Sequence, residues 1–404
     1  MKVEITPSQV KGEIIAPPSK SMAHRLLICA SLSEGESTIS NIAYSEDILA
    51  TVDCIKAMGA DVTVKGNTIT VCGVSPFTVG DSVYNCRESG STLRFFIPIA
   101  MLSEKESLFT GYGRLMERPM EVYENIADEK GIPYFVNEDG IRVGGVLDAG
   151  SYSVKGDISS QFISGLLFAL PLCDGDSEIT LTGKIESRSY IDMTISAMKT
   201  FGVTAKWKNE STLFIKGGQK YKSYNVNVEG DWSNAAFLDA FNFIGGNVAV
   251  KGICKNSLQG DSIYKEYFTK LSKGCPVLDM GNCPDLAPII MTLASELNGA
   301  TLKGTKRLKH KESDRGYAMA QELSEFGAVI ELYEDEIVIH KAELRKPENL
   351  LCGHNDHRVV MSLAVLCSKY GGVIAGSEAV KKSFPDFFVK TMSLGLEVKE
   401  YDDK

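Results

Sequence analysis

Six short polar stretches, each followed by an apolar segment at helical spacing, recur along this chain: Pro18-Ser19-Lys20-Ser21, Glu88-Ser89-Gly90-Ser91-Thr92, Asp157-Ile158-Ser159-Ser160, Asp231-Trp232-Ser233-Asn234, Cys283-Pro284-Asp285 and Asn355-Asp356-His357. Measured at Ser19, Ser89, Ser159, Ser233, Asp285 and Asp356, the steps are 70, 70, 74, 52 and 71 residues. Such spacing marks repeated supersecondary units that bury their apolar faces only against one another. The 404 residues also exceed the ~250–300 at which a single core stops growing. The repeat therefore predicts an α/β protein packed as two groups of three units.

Each unit shows one grammar. After the first helix comes a short strand ending near Gly or Asn, at Ser37–Asn41, Ser107–Gly111, Glu178–Gly183, Asn247–Gly252, Ala300–Gly304 and Gly372–Gly376. A second helix closes on glycine in Met58-Gly59-Ala60, Phe201-Gly202-Val203, Phe326-Gly327-Ala328 and Leu394-Gly395, where glycine supplies a left-handed end. Alternating strands follow, as in Val62–Val71, whose Gly66-Asn67 is a two-residue hairpin signal. The unit reads α-β-α-β-β or a permutation of it.

Composition narrows the function. A net charge of −9 disfavours nucleic acid as a partner. No apolar run reaches the ~18 residues that span a bilayer, and Met1-Lys2-Val3-Glu4-Ile5-Thr6 is too polar for a signal peptide. The expectation is a cytoplasmic protein without a membrane partner. Ten cysteines without a C-x-x-C pair favour reduced core thiols over disulfides or zinc. His354-Asn355-Asp356-His357 offers at most half a metal site, so no metal is expected.

The chemistry gathers at helix starts. Lys309-His310-Lys311-Glu312-Ser313-Asp314-Arg315 runs into the apolar positions Met319, Leu323 and Phe326. Cations at a helix N-terminus oppose the macrodipole unless an anion lies among them. A solvated charged turn would explain one such run, but Lys20, Arg25, Arg94, Arg114, Arg118, Arg358 and Lys382 also lie near helix starts, and a helix cap needs no arginine. Ligands rich in phosphate and carboxylate fit the pattern. Neither G-x-x-x-x-G-K-[ST] nor a post-strand G-x-G-x-x-G is present, so no nucleotide signature appears.

The stretches Pro18–Arg25, Ser89–Arg94, Arg114-Leu115-Met116-Glu117-Arg118-Pro119, Ser159-Ser160-Gln161-Phe162, Pro284-Asp285, Lys311–Arg315, Asn355–Arg358 and Lys382-Ser383-Phe384-Pro385-Asp386 closely resemble the 5-enolpyruvylshikimate-3-phosphate synthases, in order from Lys20 to Pro385. The resemblance implies an α/β (α+β) fold, a two-domain inverse α/β barrel of six β-α-β-α-β-β units, three per domain with pseudo-threefold symmetry. It places residues 1–15 and 229–404 in a discontinuous domain and 16–228 in an inserted one, with the active site in a cleft between them. The crossings fall near Ile14–Ala16 and Val228–Gly230. Like charges on the two halves are expected to hold the empty cleft open, with anionic ligand closing it about Ala16 and Glu229.

The implied reaction transfers the enolpyruvyl group of phosphoenolpyruvate to the 5-hydroxyl of shikimate 3-phosphate and releases phosphate, on the route to chorismate and the aromatic amino acids. Addition and elimination through a tetrahedral intermediate need a base at the hydroxyl and an acid at the vinyl carbon. The resemblance puts Asp285 at the hydroxyl and Glu312 at the vinyl carbon, with Lys20 and Lys382 as further proton-transfer groups. Glu312 beside Lys311 and Arg315 then requires desolvation or bound anions to serve as an acid. Shikimate 3-phosphate is to meet Lys20, Ser21, Arg25, Ser159, Ser160, Gln161, Ser187, Asp285 and Lys311, with Tyr190 packing on its ring. Phosphoenolpyruvate is to meet Lys20, Gly90, Arg114, Gln161, Arg315, Arg358 and Lys382. No cofactor is implied, and a monomer is expected.

Two positions depart from the family pattern: Glu88 stands where an asparagine precedes the glycine, and Arg307 where an asparagine lies four residues before Lys311. Gly90 is implied at the wall where the inhibitor glyphosate also binds. Two alternatives stand beside this reading. The sister transferase acting on UDP-N-acetylglucosamine carries Lys-Asn where this chain has Lys20-Ser21, and lacks the Ser-Ser-Gln motif. A non-catalytic anion-binding relative would have lost at least one of Asp285, Glu312 and Lys382, and all three are present.

Overall fold

The computed structural model describes residues 1–401. The chain forms two compact units, one of Pro18–Glu229 and one of Met1–Pro17 with Gly230–Lys404. Among the described residues there are twelve α-helices. The continuous unit holds α1 (Lys20–Ser31), α2 (Glu46–Ala57), α3 (Gly90–Ala100), α4 (Glu121–Lys130), α5 (Ser160–Ala169) and α6 (Arg188–Thr200). The other holds α7 (Trp232–Ala240), α8 (Tyr264–Lys273), α9 (Ala287–Glu296), α10 (Arg315–Glu325), α11 (His357–Tyr370) and α12 (Phe387–Ser393).

Odd-numbered helices begin at or just after the six polar markers, and their caps follow from the residue types. The side chains of Ser19, Ser89, Ser159, Asp231 and Asp356 each accept a backbone N–H of the first turn, satisfying one of the donors a helix start leaves bare. Helices α5, α9 and α11 are buried over nearly their whole length, so they are apolar all round rather than along one stripe. The even-numbered helices keep a solvent face, and glycines 59, 202, 327 and 395 follow α2, α6, α10 and α12 with φ of +80 to +100°.

The continuous unit contains three four-stranded sheets of one pattern: Val226–Asn227, Glu36–Ser40, Thr68–Cys72, Asp61–Lys65; Ser82–Asn85, Ser107–Thr110, Gly140–Val143, Tyr134–Asn137; and Ser151–Lys155, Ser177–Thr182, Thr212–Ile215, Ala205–Trp207. In each the first pair is parallel and the rest antiparallel. The discontinuous unit repeats this order in Val277–Asp279, Ala300–Lys303, Glu336–His340, Val329–Leu332. Its second sheet, Leu351–Cys352, Gly372–Ala375, Lys2–Thr6, Glu397–Tyr401, recruits the N-terminal strand into the third place. Among the described residues the third sheet has only Lys11–Ile15 and Asn247–Lys251. There α8 runs directly into Val277–Asp279, so the outer hairpin is missing. That omission is the physical reason for the short 52-residue step from Ser233 to Asp285. Pairing of Lys11–Ile15 with Asn247–Lys251, extended by Ala16 N–H to the Lys251 carbonyl, keeps Ile15 and Ala16 in the discontinuous unit.

One contact shows how closely the buried helices pack. Pro98 inside α3 lacks the N–H that would bond the Arg94 carbonyl, and that carbonyl instead accepts the Tyr123 hydroxyl at 2.6 Å. Opposite it lies Gly165 of α5, where a Cβ would sit 2.2 Å from the Tyr123 oxygen and 2.3 Å from the Arg94 carbonyl. Gly165→Ala is expected to destabilise the protein by about 1–3 kcal/mol, the usual scale of overpacking, and to lower the melting temperature followed by circular dichroism. An unchanged melt would mean that α3 and α5 can part without cost.

Candidate active site

In the discontinuous unit the site is built around one guanidinium. Arg315, the first residue of α10, is 1% exposed, yet it donates through Nη1 to Asp285 Oδ1 (2.7 Å), through Nη2 to Glu312 Oε2 (2.7 Å) and through Nε to Asp356 Oδ2 (2.8 Å). Asp285 also accepts from Arg358 Nη2 at 2.8 Å and lies 3.4 Å from Lys311 Nζ. Arg358 donates from Nη1 to Ser233 Oγ at 2.7 Å. Burial alone would raise the carboxyl of Asp285, but Arg358, Lys311 and Arg315 together hold it well below the usual carboxylate range. Asp356, also opposed by burial, is held down chiefly by Arg315. For Lys311 burial is the larger influence and lowers its pKa despite Asp285.

The last of the sequence-predicted cations here is Lys382, whose Nζ donates to the Asn355 carbonyl at 2.7 Å. That carbonyl sits in a strained turn, with His354 and Asn355 both left-handed at φ +49° and +52°. Glu322 of α10 braces the turn, accepting the Cys352 N–H at 2.8 Å through one oxygen and meeting His354 Nε2 at 2.7 Å through the other. His354, weighed as half a metal site, is thus engaged by Glu322. Among the described residues no group of three or more His, Cys, Asp or Glu is placed to hold a metal.

In the continuous unit, Lys20 at the start of α1 donates to Asp47 Oδ2 of α2 at 2.6 Å. Arg25 is 2% exposed. It is tied to Thr194 Oγ1 (2.8 Å) and to the carbonyls of Ser21 (2.7 Å) and Tyr190 (3.1 Å), with its guanidinium over the Tyr190 ring. Burial lowers it to about 10, still charged at neutral pH. Gln161 is fixed from both ends, its Oε1 accepting from Arg94 Nη1 at 2.7 Å and its Nε2 donating to Ser91 Oγ at 2.9 Å. Ser159 caps α5, Ser160 is buried beside it, and Ser187 enters α6 in the left-handed region at φ +56°.

A Cβ on Gly90 would lie 2.7 Å from Arg118 Nη1, 3.2 Å from Arg94 Nη1 and 3.7 Å from Gln161 Oε1. Arg94 and Arg118 therefore flank the start of α3. Arg114 is half exposed and only loosely paired with Glu117, at 3.9 Å. Of the two departures from the family pattern, Arg307 donates to the Gly281 carbonyl at 2.8 Å, and the Glu88 carboxylate lies against Gly113. Within each unit the cations are opposed by carboxylates: Lys20 by Asp47, and Lys311, Arg315 and Arg358 by Asp285, Glu312 and Asp356. The sequence reading missed Asp47, Glu322 and the pairing roles of Ser233 and Asp356. A carboxylate one helix away has no local signal, although the excess of Asp and Glu over Lys and Arg (52 to 43) leaves acids available for it.

Repeated α/β units with cations and carboxylates assembled at helix starts place this chain among enzymes that move protons on small anionic substrates. The family profile for EPSP synthase (3-phosphoshikimate 1-carboxyvinyltransferase) matches residues 5–391. The 3-phosphoshikimate 1-carboxyvinyltransferase of Clostridium kluyveri is 41% identical over 421 residues, covering 99% of this chain and 98% of that one. Its counterpart from Clostridium novyi is 41% identical over 429 residues, with the same coverage. The solved EPSP synthase of Acinetobacter baumannii has the same fold, with a TM-score of 0.80 at 22% identity over 99% of this chain and 100% of that one. The chain belongs to the EPSP synthase family. Its reaction is transfer of the enolpyruvyl group of phosphoenolpyruvate to shikimate 3-phosphate, a step of the shikimate pathway.

The network around Arg315 has a pH signature. A carboxylate whose folded-state pKa lies below its unfolded value adds stability that is complete above the unfolded pKa, about 4, and lost as pH falls through the folded one. Arg315→Met removes the chief cation that holds Asp356 down and one of the three that hold Asp285 down. Acid unfolding followed by circular dichroism is expected to move to higher pH by a unit or more, with about 3–5 kcal/mol lost at neutral pH. Coincident acid transitions in the two proteins would mean that Arg315 does not set these pKa values.

Proposed function

We propose that Asp285 and Glu312 act at the reacting atoms of phosphoenolpyruvate and shikimate 3-phosphate. The observation that carries this reading is that one buried guanidinium holds both carboxylates at 2.7 Å. As the 5-hydroxyl oxygen of shikimate 3-phosphate bonds to C2 of phosphoenolpyruvate, its proton departs and C3 gains one. C3 then loses a proton as the bond from C2 to the phosphate oxygen breaks, restoring the double bond and releasing phosphate. Asp285, held strongly ionised, is suited to orient the hydroxyl by accepting its hydrogen bond. Glu312 gives and recovers the C3 proton, with Lys20 and Lys382 assisting proton movement.

Shikimate 3-phosphate is assigned to Lys20, Ser21, Arg25, Ser159, Ser160, Gln161, Ser187, Asp285 and Lys311, and phosphoenolpyruvate to Lys20, Gly90, Arg114, Gln161, Arg315, Arg358 and Lys382. Support comes from the way several of these groups are held: Arg25 and Gln161 are anchored by protein groups, so little side-chain entropy is lost on binding. The enzyme acts as a cytoplasmic monomer on small molecules, without nucleic acid or membrane. Among the described residues no helix is long and apolar enough to cross a membrane.

Phosphate release from phosphoenolpyruvate, measured with shikimate 3-phosphate and with UDP-N-acetylglucosamine as acceptors, tests the acceptor: turnover is expected only with the first, and turnover only with the second would overturn it. Glu312→Gln and Asp285→Asn are expected to keep shikimate 3-phosphate binding within about tenfold while kcat falls roughly 10²-fold or more. Near-normal turnover in either variant removes that residue from the chemistry. Gly90→Ala is expected to raise the inhibition constant for glyphosate more than the KM for phosphoenolpyruvate, because the methyl displaces the Arg118 and Arg94 guanidinium ends. A parallel rise in both constants would mean that only the helix start is disturbed.

A further inference from the structure

Between α1, α2 and α3 runs a chain of four buried polar side chains. His24 Nδ1 lies 2.7 Å from Thr51 Oγ1, Thr51 Oγ1 lies 2.8 Å from Thr92 Oγ1, and Thr92 Oγ1 donates to Ser89 Oγ at 2.8 Å. All four residues have no exposed surface. Ser89 is the cap of α3, its Oγ also accepting the Thr92 N–H. A hydroxyl has one proton, so the direction of the last bond sets all the others. Thr92 gives its proton to Ser89 and must accept from Thr51. Thr51, having given its own, must accept from His24. His24 is thereby assigned the tautomer with hydrogen on Nδ1, which agrees with the buried Nε2 having no partner. A bare buried acceptor is tolerated better than a bare N–H, which the opposite direction would leave at Nε2. Burial, then the charges of Lys20 and Arg25, hold the imidazole pKa well below its usual value and keep the ring neutral.

The chain also completes a ladder. Lys20 and His24 lie one turn apart on α1, and Asp47 and Thr51 one turn apart on α2. The Lys20–Asp47 ion pair and the His24–Thr51 bond are thus successive rungs between these helices. Thr92 extends the second rung to the first turn of α3, where Gly90 opens the helix.

We propose that His24 is a positioning residue for the phosphoenolpyruvate site, fixing the start of α3 against Lys20 through the Thr51, Thr92 and Ser89 hydroxyls. The inference rests on the assignment of Lys20 and Gly90 to phosphoenolpyruvate, but the tautomer and the ladder do not. Every polar member donates to the next in one direction, so removing one member leaves its neighbours without partners in a dry interior. The start of α3 then loses its fixed distance from Lys20, while the anchors of Arg25 to Thr194 and Tyr190 are untouched.

The test uses the full-length enzyme. Long-range proton–nitrogen correlation at neutral pH is expected to show His24 with hydrogen on Nδ1; hydrogen on Nε2 would overturn the proposal. Thr51→Val, which keeps shape and removes one hydroxyl, and His24→Leu are each expected to raise the KM for phosphoenolpyruvate about tenfold, with kcat and the KM for shikimate 3-phosphate within about threefold. The double variant should be no worse than either single one, because both break one chain. His24→Asn, whose side-chain amide can still donate to Thr51, should return the KM to within about twofold of the original. A folded Thr51→Val enzyme with unchanged KM, or His24→Asn as impaired as His24→Leu, sinks the proposal. If His24→Leu does not fold, Thr51→Val and His24→Asn decide. Lys20→Met is the control for the underlying assignment: an unchanged KM for phosphoenolpyruvate there overturns that assignment, and with it the functional half of the inference.

Discussion

The discontinuous unit is organised by an unfavourable act, the removal of a guanidinium from water at Arg315. A buried charge of this kind is tolerated only when its donors are matched and its charge is opposed. Three carboxylates from three different segments do this, Asp285 before α9, Glu312 before α10 and Asp356 before α11. The three segments are consequently held to one point, and Arg358 and Ser233 extend the arrangement to α7. The carboxylates that form the site therefore also join the starts of α9, α10 and α11.

The continuous unit solves a similar problem with neutral groups. Its odd-numbered helices approach closely, to the point that Gly165 has no room for a methyl and the Pro98 ring frees a carbonyl for Tyr123. Hydroxyls and one amide link the helices of this unit: Ser91 of α3 with Gln161 of α5, Ser164 of α5 with Thr194 of α6, and Thr51 of α2 with Thr92 of α3. Hydrogen bonds in a dry interior are short-ranged and directional. They tie the helices together without adding charge, and the buried guanidinium of Arg25 joins the same arrangement through Thr194 and Ser164.

Much of this was legible in the sequence because it is local. Serine and aspartate cap the helices at five of the six markers, and glycines 59, 202, 327 and 395 end helices by adopting backbone angles other residues avoid. Helix α10 starts at Arg315, where the charged run meets the apolar pattern. What was not legible is what depends on a partner distant in sequence. Nothing near Lys2–Thr6 announces that it will be the third strand of a sheet with Gly372–Ala375 and Glu397–Tyr401. Asp47 as the partner of Lys20, and Glu322 as the brace of the turn before Asp356, lie a helix away from the groups they hold.

The same distinction explains why motif residues and positioning residues look different along the chain. Most of the motif residues lie at or near helix starts, where backbone donors are available, so their neighbours in sequence are also constrained and a motif results. A group that only holds another in place needs one directed bond and a dry environment. Glu322 lies two turns into α10, Thr51 lies within α2 and His24 within α1, each in an ordinary helical stretch. Their significance becomes visible only when bond directions are followed from atom to atom, because a single proton on each hydroxyl allows one consistent assignment from the imidazole to the cap of α3.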